Sequence, residues 1–241
     1  GARNRFGCYA AAMGRAKRVD VGGYVYHALN RGNGRMTLFE KRGDYEAFER
    51  VIEQAVERFP SLELLAYCVM PNHWHFVVRT ARNGQLSSFF AWVTLTHTQR
   101  WHAHRHTSGG GHVYQGRFKS FLVEDDRHFA TVCRYVERNP LRSGLVRQAQ
   151  DWRWSSLWRW HAGSDRERAI LKAWPTPSGR RPRRWVATVN KPQSAEEEEA
   201  LHRAISRGQP FGSPSWQEKM IKQFELQSTC RNPGRPKQKT S

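Results

Sequence analysis

His73 and His75 flank Trp74 in the run Tyr67-Cys68-Val69-Met70-Pro71-Asn72-His73-Trp74-His75-Phe76-Val77-Val78. Imidazole is the side chain that both ligates metal ions and moves protons near neutral pH. On a β-strand, residues two apart point to one face, so both rings can reach a single ion while Trp74 turns into the opposite core. A short His-x-His pattern also occurs on ordinary solvated sheet faces, so its context has to decide. Further along, Tyr135 and Asn139 are four apart, which on one helix puts a phenol and a carboxamide on a shared face. Pro140 disfavours helical geometry at Asn139, so the amide is expected at a helix end, where its side chain has freedom. Taken alone, a core tyrosine and a helix-terminal asparagine are the ordinary readings of those two positions.

These side chains need elements to hold them. Gly23 to Asn30 is a β-rich run ended by the turn residues Arg31-Gly32-Asn33-Gly34. Asp44 opens a helix with Phe48, Val51, Ile52, Ala55, Val56 and Phe59 at helical spacing, and Pro60 stops it. Leu62 to Met70 and His73 to Thr80 read as a strand hairpin turned at Pro71-Asn72. Leu86 to His104 reads as a second helix, Phe118 to Val123 as a fourth strand, and Asp125 or Asp126 caps a third helix running towards Asn139-Pro140. The order is βαββαβ with a trailing helix. It predicts an α+β fold of the ferredoxin-like arrangement, a four-stranded antiparallel sheet with two helices on one face. The Trp-rich stretch Asp151 to Trp160 is expected to pack back on this domain. Residues 174–193, with several Pro and Arg and little periodicity, read as a linker. The expected organisation is a basic tail over 1–20, a catalytic domain over 21–165, a linker over 166–195 and a helical extension with a basic tail over 196–241.

Composition bounds the partners. The 241 residues carry 40 Lys+Arg against 21 Asp+Glu, a formal net charge of +19, which points to a polyanion and to nucleic acid ahead of a membrane surface. No apolar run approaches the roughly 20 residues of a spanning helix. Aromatic residues make up 12 %, with 10 Trp, enough for both a core and base-stacking surfaces. Cys8, Cys68, Cys133 and Cys230 are scattered without a Cys-x-x-Cys pair, so neither a zinc ribbon nor a disulfide framework is indicated. Cys68 and Cys133 sit in apolar contexts and are expected as buried thiols. A cytoplasmic, nucleoid-associated protein is the expectation.

The motifs, in order, resemble a family. The Tyr67–Val78 run resembles the His-hydrophobic-His strand of the single-tyrosine HUH transposases. The run Tyr135-Val136-Glu137-Arg138-Asn139-Pro140-Leu141-Arg142-Ser143-Gly144-Leu145-Val146 is similar to their nucleophile helix. Asp151-Trp152-Arg153-Trp154-Ser155-Ser156 is similar to the segment that follows it in the REP-associated tyrosine transposase branch of this IS200-like family. The resemblance spans about residues 21–160, and residues 196–241 look like a C-terminal extension found in some relatives.

Carried over, the resemblance implies that His73 and His75 are metal ligands, Tyr135 the nucleophile and Asn139 the third ligand. Two imidazoles and an amide oxygen leave open positions, and that mixed set suits Mg²⁺ or Mn²⁺ better than a closed structural zinc site. The implied reaction is metal-assisted attack of Tyr135 on a phosphodiester, giving a 5′-phosphotyrosine and a free 3′-OH. The implied substrate is single-stranded or hairpin DNA of palindromic repeats, cut and rejoined by a monomer or homodimer. Tyr114 is read as a stacking or positioning residue and as the reserve nucleophile. Arg79, Arg82, Arg100, Arg105, Arg117, Lys119 and Arg138 are candidate phosphate contacts, and Arg235 in the Pro-Gly-Arg-Pro tail resembles a minor-groove hook. His97, His102, His104, His106 and His112 are expected to face solvent or phosphate. Two other readings stand beside this one: a non-catalytic nucleic-acid-binding protein on the same scaffold, and a metal-dependent hydrolase that uses water and leaves Tyr135 dispensable.

Overall fold

The computed structural model describes residues 18–125, 127–176 and 178–230. Arg235, Cys8 and Asp126, each singled out from the sequence, lie outside the described residues. In chain order the elements are β1 (Val25–Arg31), α1 (Arg42–Arg58), β2 (Glu63–Met70), β3 (His73–Arg79), α2 (Gln85–Arg105), β4 (Lys119–Val123), α3 (Arg127–Arg142), α4 (Ser156–Ala162), α5 (Asp165–Arg168), α6 (Trp185–Asn190), α7 (Ala195–Arg207), α8 (Pro214–Gln223) and α9 (Gln227–Cys230). Among the described residues no helix is long and apolar enough to cross a membrane.

The strands form one antiparallel sheet in the order β2-β3-β1-β4, so the expected α+β class and βαββαβ order both hold. The period of two in each strand divides its side chains between two cores. Tyr26, Ala28, Trp74, Phe76 and Leu122 point into the core that α1 and α2 cover with Phe48, Ile52, Phe89 and Phe90. Val25, Val77, Cys68 and Phe121 point the other way, where α3 packs with Phe129, Val132, Cys133 and Val136. Cys68 and Cys133 are buried free thiols, as expected.

Both sheet edges are covered, which removes the unpaired backbone groups that invite association. Along β2, the Val69 amide donates to the Trp154 carbonyl at 2.9 Å and the Trp152 indole donates to the Val69 carbonyl at 2.9 Å. The Trp-rich stretch thus packs back on the domain by pairing with its edge. On β4, the Phe211 amide donates to the Leu122 carbonyl at 2.8 Å and the Glu124 amide to the Phe211 carbonyl at 3.0 Å.

The segment read as a linker is a packed part of the core instead. Trp174, Trp185 and Val189 are buried with α3 and β2, and the Lys172 amide donates to the Leu64 carbonyl at 2.9 Å. A six-residue helix such as α6 is too short to stand alone, so tertiary burial has to stabilise it. Its anchor is Glu137 of α3, which has no exposure to water. One carboxylate oxygen accepts from Arg181 Nη1 at 2.6 Å and from the Ser156 hydroxyl; the other accepts from the Trp185 indole at 2.6 Å. No periodic pattern marks this segment because its partners are single aromatic and charged side chains spread along an irregular path.

Glu137→Gln removes the charge facing Arg181, whose side chain is only 5 % exposed, and strands a buried guanidinium. Breaking a buried pair in this way costs about 3–5 kcal/mol. Urea unfolding should register a loss of that size, whereas a change below about 1 kcal/mol would mean that α3 is held by apolar packing alone.

Candidate active site

β3 is flanked by β2 and β1, and register lines up the side chains on the α3 face of the sheet. Leu29 of β1 lies opposite both His75 and Lys119, and Cys68 lies opposite His75 from the other side. One residue pair along, Arg31 and Met70 flank His73. The two imidazoles share this face, with ring centroids 5.0 Å apart, while Trp74 is fully buried on the other. The expected division of the His-Trp-His run is the observed one.

Each ring is fixed through one nitrogen. His75 Nδ1 is 2.9 Å from His27 Nε2, and His73 Nδ1 is 2.6 Å from the Asn72 side-chain oxygen. Asn72 can only accept through that oxygen, so His73 carries its proton on Nδ1 and turns an unprotonated Nε2 outward. The same tautomer at His75 makes it the donor to His27. Burial also keeps the rings neutral. His73 is lowered to about 4, chiefly by desolvation and then by the positive charges of Arg31 and Arg142. His75 is lowered well below the usual imidazole range, again first by burial, and desolvation lowers His27 to about 3.

α3 faces these rings. Tyr135 stands edge-on to His75 with centroids 5.8 Å apart, and Asn139 lies one turn further along. Asn139 is not at a free helix end: Pro140 sits inside α3, which runs on to Arg142. The exclusion of helical geometry before proline is a bias, and here the cost is one missing amide donor in the last turn. The end is sealed beyond it. The Ser143 amide donates to the Asn139 carbonyl at 3.0 Å, and Gly144, at φ 70°, turns the chain so that its amide reaches the Leu141 carbonyl at 3.1 Å. The Asn139 side chain is therefore buried, its oxygen 3.4 Å from Arg142 Nη2 and its amide nitrogen without a hydrogen-bond partner among the described residues.

Arg142 completes this face. It is three residues beyond Asn139 and seven beyond Tyr135, a spacing that returns to one side of a helix. Its Nη2 donates to the Tyr135 hydroxyl at 3.2 Å, and its Cζ lies 4.8 Å from the Tyr135 ring centroid. Burial raises the Tyr135 phenol above its ordinary pKa, while the Arg142 charge and hydrogen bond oppose that rise.

The donor set fits a small divalent ion. Among the described residues no three His, Cys, Asp or Glu side chains gather as a metal site. The outward Nε2 of His73, the neutral His75 ring and the Asn139 side-chain oxygen are the atoms on adjoining elements that would hold such an ion.

Other expected site residues fall elsewhere. Tyr114 is a core residue on the opposite side of the sheet, where its hydroxyl accepts from the Trp74 indole at 3.1 Å and shares a hydrogen bond with His97 Nδ1 at 2.7 Å. Burial raises its pKa, and it cannot stack on a nucleic acid or replace Tyr135. His97 is likewise a buried core residue packed on Phe39 and Phe48, not a solvent-facing one. Arg138 donates to the Val189 and Asn190 carbonyls at 3.1 and 2.7 Å, so it fastens α6 rather than facing a ligand. Arg79 pairs with Glu63, Arg105 with Glu40 and Asp44, and Arg100 binds Gln54. Arg117 and Lys119 remain exposed. They line a groove of about 640 Å³ together with Arg18, Arg207 and Arg31, the β1 partner of His73, and no carboxylate lines it among the described residues.

Sequence reasoning missed His27, Arg142 and His202. The first two had a signal: His27 breaks the apolar run of β1 on the face it shares with His75, and Arg142 keeps the helical phase of Tyr135 and Asn139. His202 had none. It arrives from α7, 67 residues after Tyr135, with its ring 6.1 Å from the tyrosine ring.

The four-stranded antiparallel sheet thus presents the His73–His75 strand to the helix that carries Tyr135. Residues 20–139 match the family described as Transposase IS200 like. A protein of Haemophilus influenzae named as a REP-associated tyrosine transposase is 26 % identical over 120 residues, 46 % of this chain and 68 % of that protein. The REP-associated tyrosine transposase of Escherichia coli is 25 % identical over 138 residues, 57 % of this chain and 78 % of that one. A solved REP-associated tyrosine transposase bound to a REP hairpin shares the fold, with a TM-score of 0.52 at 19 % identity, covering 76 % of this chain and 96 % of that one.

Tyr114→Phe would strand the Trp74 indole and the His97 ring in the core. A deficit of about 1–3 kcal/mol is expected in chemical denaturation, the usual cost of leaving buried polar groups unpaired. A neutral result would mean that water replaces the lost hydroxyl.

Proposed function

We propose that this protein is a DNA strand-cutting and strand-joining transposase that acts on single-stranded or hairpin DNA through Tyr135. The observation that carries the reading is the meeting of two neutral imidazoles on one sheet face with a phenol, to which Arg142 ties the Asn139 carboxamide. An Mg²⁺ or Mn²⁺ ion held by His73, His75 and Asn139 would supply Lewis acidity to a non-bridging oxygen of the scissile phosphate. His27 and Asn72 orient the two imidazoles from behind. Tyr135 Oη forms the new bond to phosphorus and gives up its proton, and the bond from phosphorus to the 3′ oxygen breaks to leave a free 3′-OH. The DNA 5′ side is then held as a phosphotyrosine ester. Attack by another 3′-OH reverses the exchange, so strands rejoin without an external energy source. The hairpin substrate follows the relative whose structure holds a REP hairpin.

Incubation with end-labelled hairpin DNA and Mn²⁺, followed by denaturing electrophoresis, should reveal a protein–DNA adduct. Tyr135→Phe and chelation should each abolish it. Cleavage that survives Tyr135→Phe would transfer the attack to water, and binding without cleavage would leave a DNA-binding protein.

The basic groove is the proposed path of the DNA backbone, with Arg117 and Lys119 as phosphate contacts, Lys119 standing in the row that runs through Leu29 to His75. Each phosphate contact to a single strand contributes about 0.7 to the slope of log affinity against log salt. Replacing both residues with Ala should weaken binding across sequences and flatten that slope by about 1.4. An unchanged slope would put the strand elsewhere.

A further inference from the structure

The Arg142 guanidinium reaches three neutral groups at once: the Tyr135 hydroxyl, the Asn139 oxygen and, at 3.2 Å from Nη1, His202 Nε2. Guanidinium has donors only, so the imidazole accepts through Nε2 and carries its own proton on Nδ1. No carboxylate lies within ion-pair distance of Arg142 among the described residues. Its charge is therefore not taken up by an ion pair, although the Glu198 carboxylate of α7 also acts on Tyr135. A free arginine side chain samples many rotamers, and each fixed contact besides the phenol and Asn139 narrows where the planar fork can lie. α7 provides one. Its Leu201 and Ala204 are buried in the core beneath α3, which sets the helix so that His202, on its exposed side, stands against Tyr135 and Arg142.

We propose that His202 is a positioning residue for the reaction at Tyr135, holding the Arg142 guanidinium where the attacking oxygen and the phosphate gather charge. The proposal rests on the reading of Tyr135 as nucleophile. It adds that the site is completed by a segment beyond residues 20–139, so the C-terminal helices are part of the reacting apparatus. His202 acts through Arg142 and need not touch DNA.

The test compares His202→Phe, which fills the space without an acceptor, with His202→Gln, whose amide oxygen can take the place of Nε2. Adduct formation is timed at saturating hairpin DNA, and DNA affinity is measured separately. Orientation at a reacting centre is worth one or two decades, so His202→Phe should slow the adduct step about 10-fold or more with affinity unchanged. His202→Gln should recover most of that rate. Equal rates in wild type and His202→Phe would overturn the proposal, as would an equal loss in both variants. The contact is also read without turnover. In ¹⁵N-histidine spectra at a pH where the ring is neutral, His202 should carry its proton on Nδ1, and Arg142→Leu should release it towards the Nε2–H form. A ring indifferent to Arg142→Leu would overturn the proposal. Absence of any adduct in wild type would count against Tyr135 as nucleophile, and the spectra would still decide whether His202 holds Arg142.

Discussion

A carboxylate with no access to water sets the position of the helix that carries the tyrosine. Glu137 lies on nearly the opposite side of α3 from Tyr135, Asn139 and Arg142, because two residues turn a helix by rather more than half a circle. Its charge is tolerable in the core only while Arg181, Trp185 and Ser156 all donate to it. Rotating α3 would break those bonds, so the node that satisfies Glu137 also aims the other face of the helix at His75. The packed segment that supplies Arg181 and Trp185 is therefore a structural condition of the site.

The site itself is a pocket of neutral donors inside a strongly basic protein. Burial keeps His27, His73 and His75 unprotonated, and the cations Arg31 and Arg142 push His73 and His75 the same way. Neutral imidazoles can offer lone pairs, whereas protonated ones would add to the surrounding positive charge. Tyr135 faces opposing influences: desolvation holds its proton on, and Arg142 favours its loss. Positive charge beside a buried phenol is an arrangement that favours the phenolate only once an anionic oxygen is forming, which is when it is useful.

Misread residues share a physical cause. Tyr114 and His97 were judged by neighbours in the chain, yet their hydroxyl–imidazole pair is sealed under α2 by contacts with Trp74, Phe39 and Phe48. Arg138 lies between Tyr135 and Asn139 in sequence, but the helix turns it towards the carbonyls that end α6. A cation's chain position indicates that it can bind phosphate; only its partners decide whether it is already engaged. Asn139 is the subtler case. Proline reads as ending the helix at Asn139, but Pro140 lies inside α3, which runs on to Arg142 and is sealed by bonds from Ser143 and Gly144.

Strand and helix periodicity, set by covalent geometry, was legible directly. It put His73 and His75 on one face, Tyr135 and Asn139 on one side of a helix, and the βαββαβ order around them, because those relations depend on local spacing alone. Tertiary structure alone decided what lies behind and across from those groups. His27 supports His75 from a neighbouring strand, Glu137 fixes α3 from its far side, and His202 meets Arg142 from a helix that no local pattern ties to the site. Such pairings join residues tens of positions apart through one hydrogen bond each. They leave no period in the sequence, and they become visible only when the packed core has chosen which side chains must share a buried space.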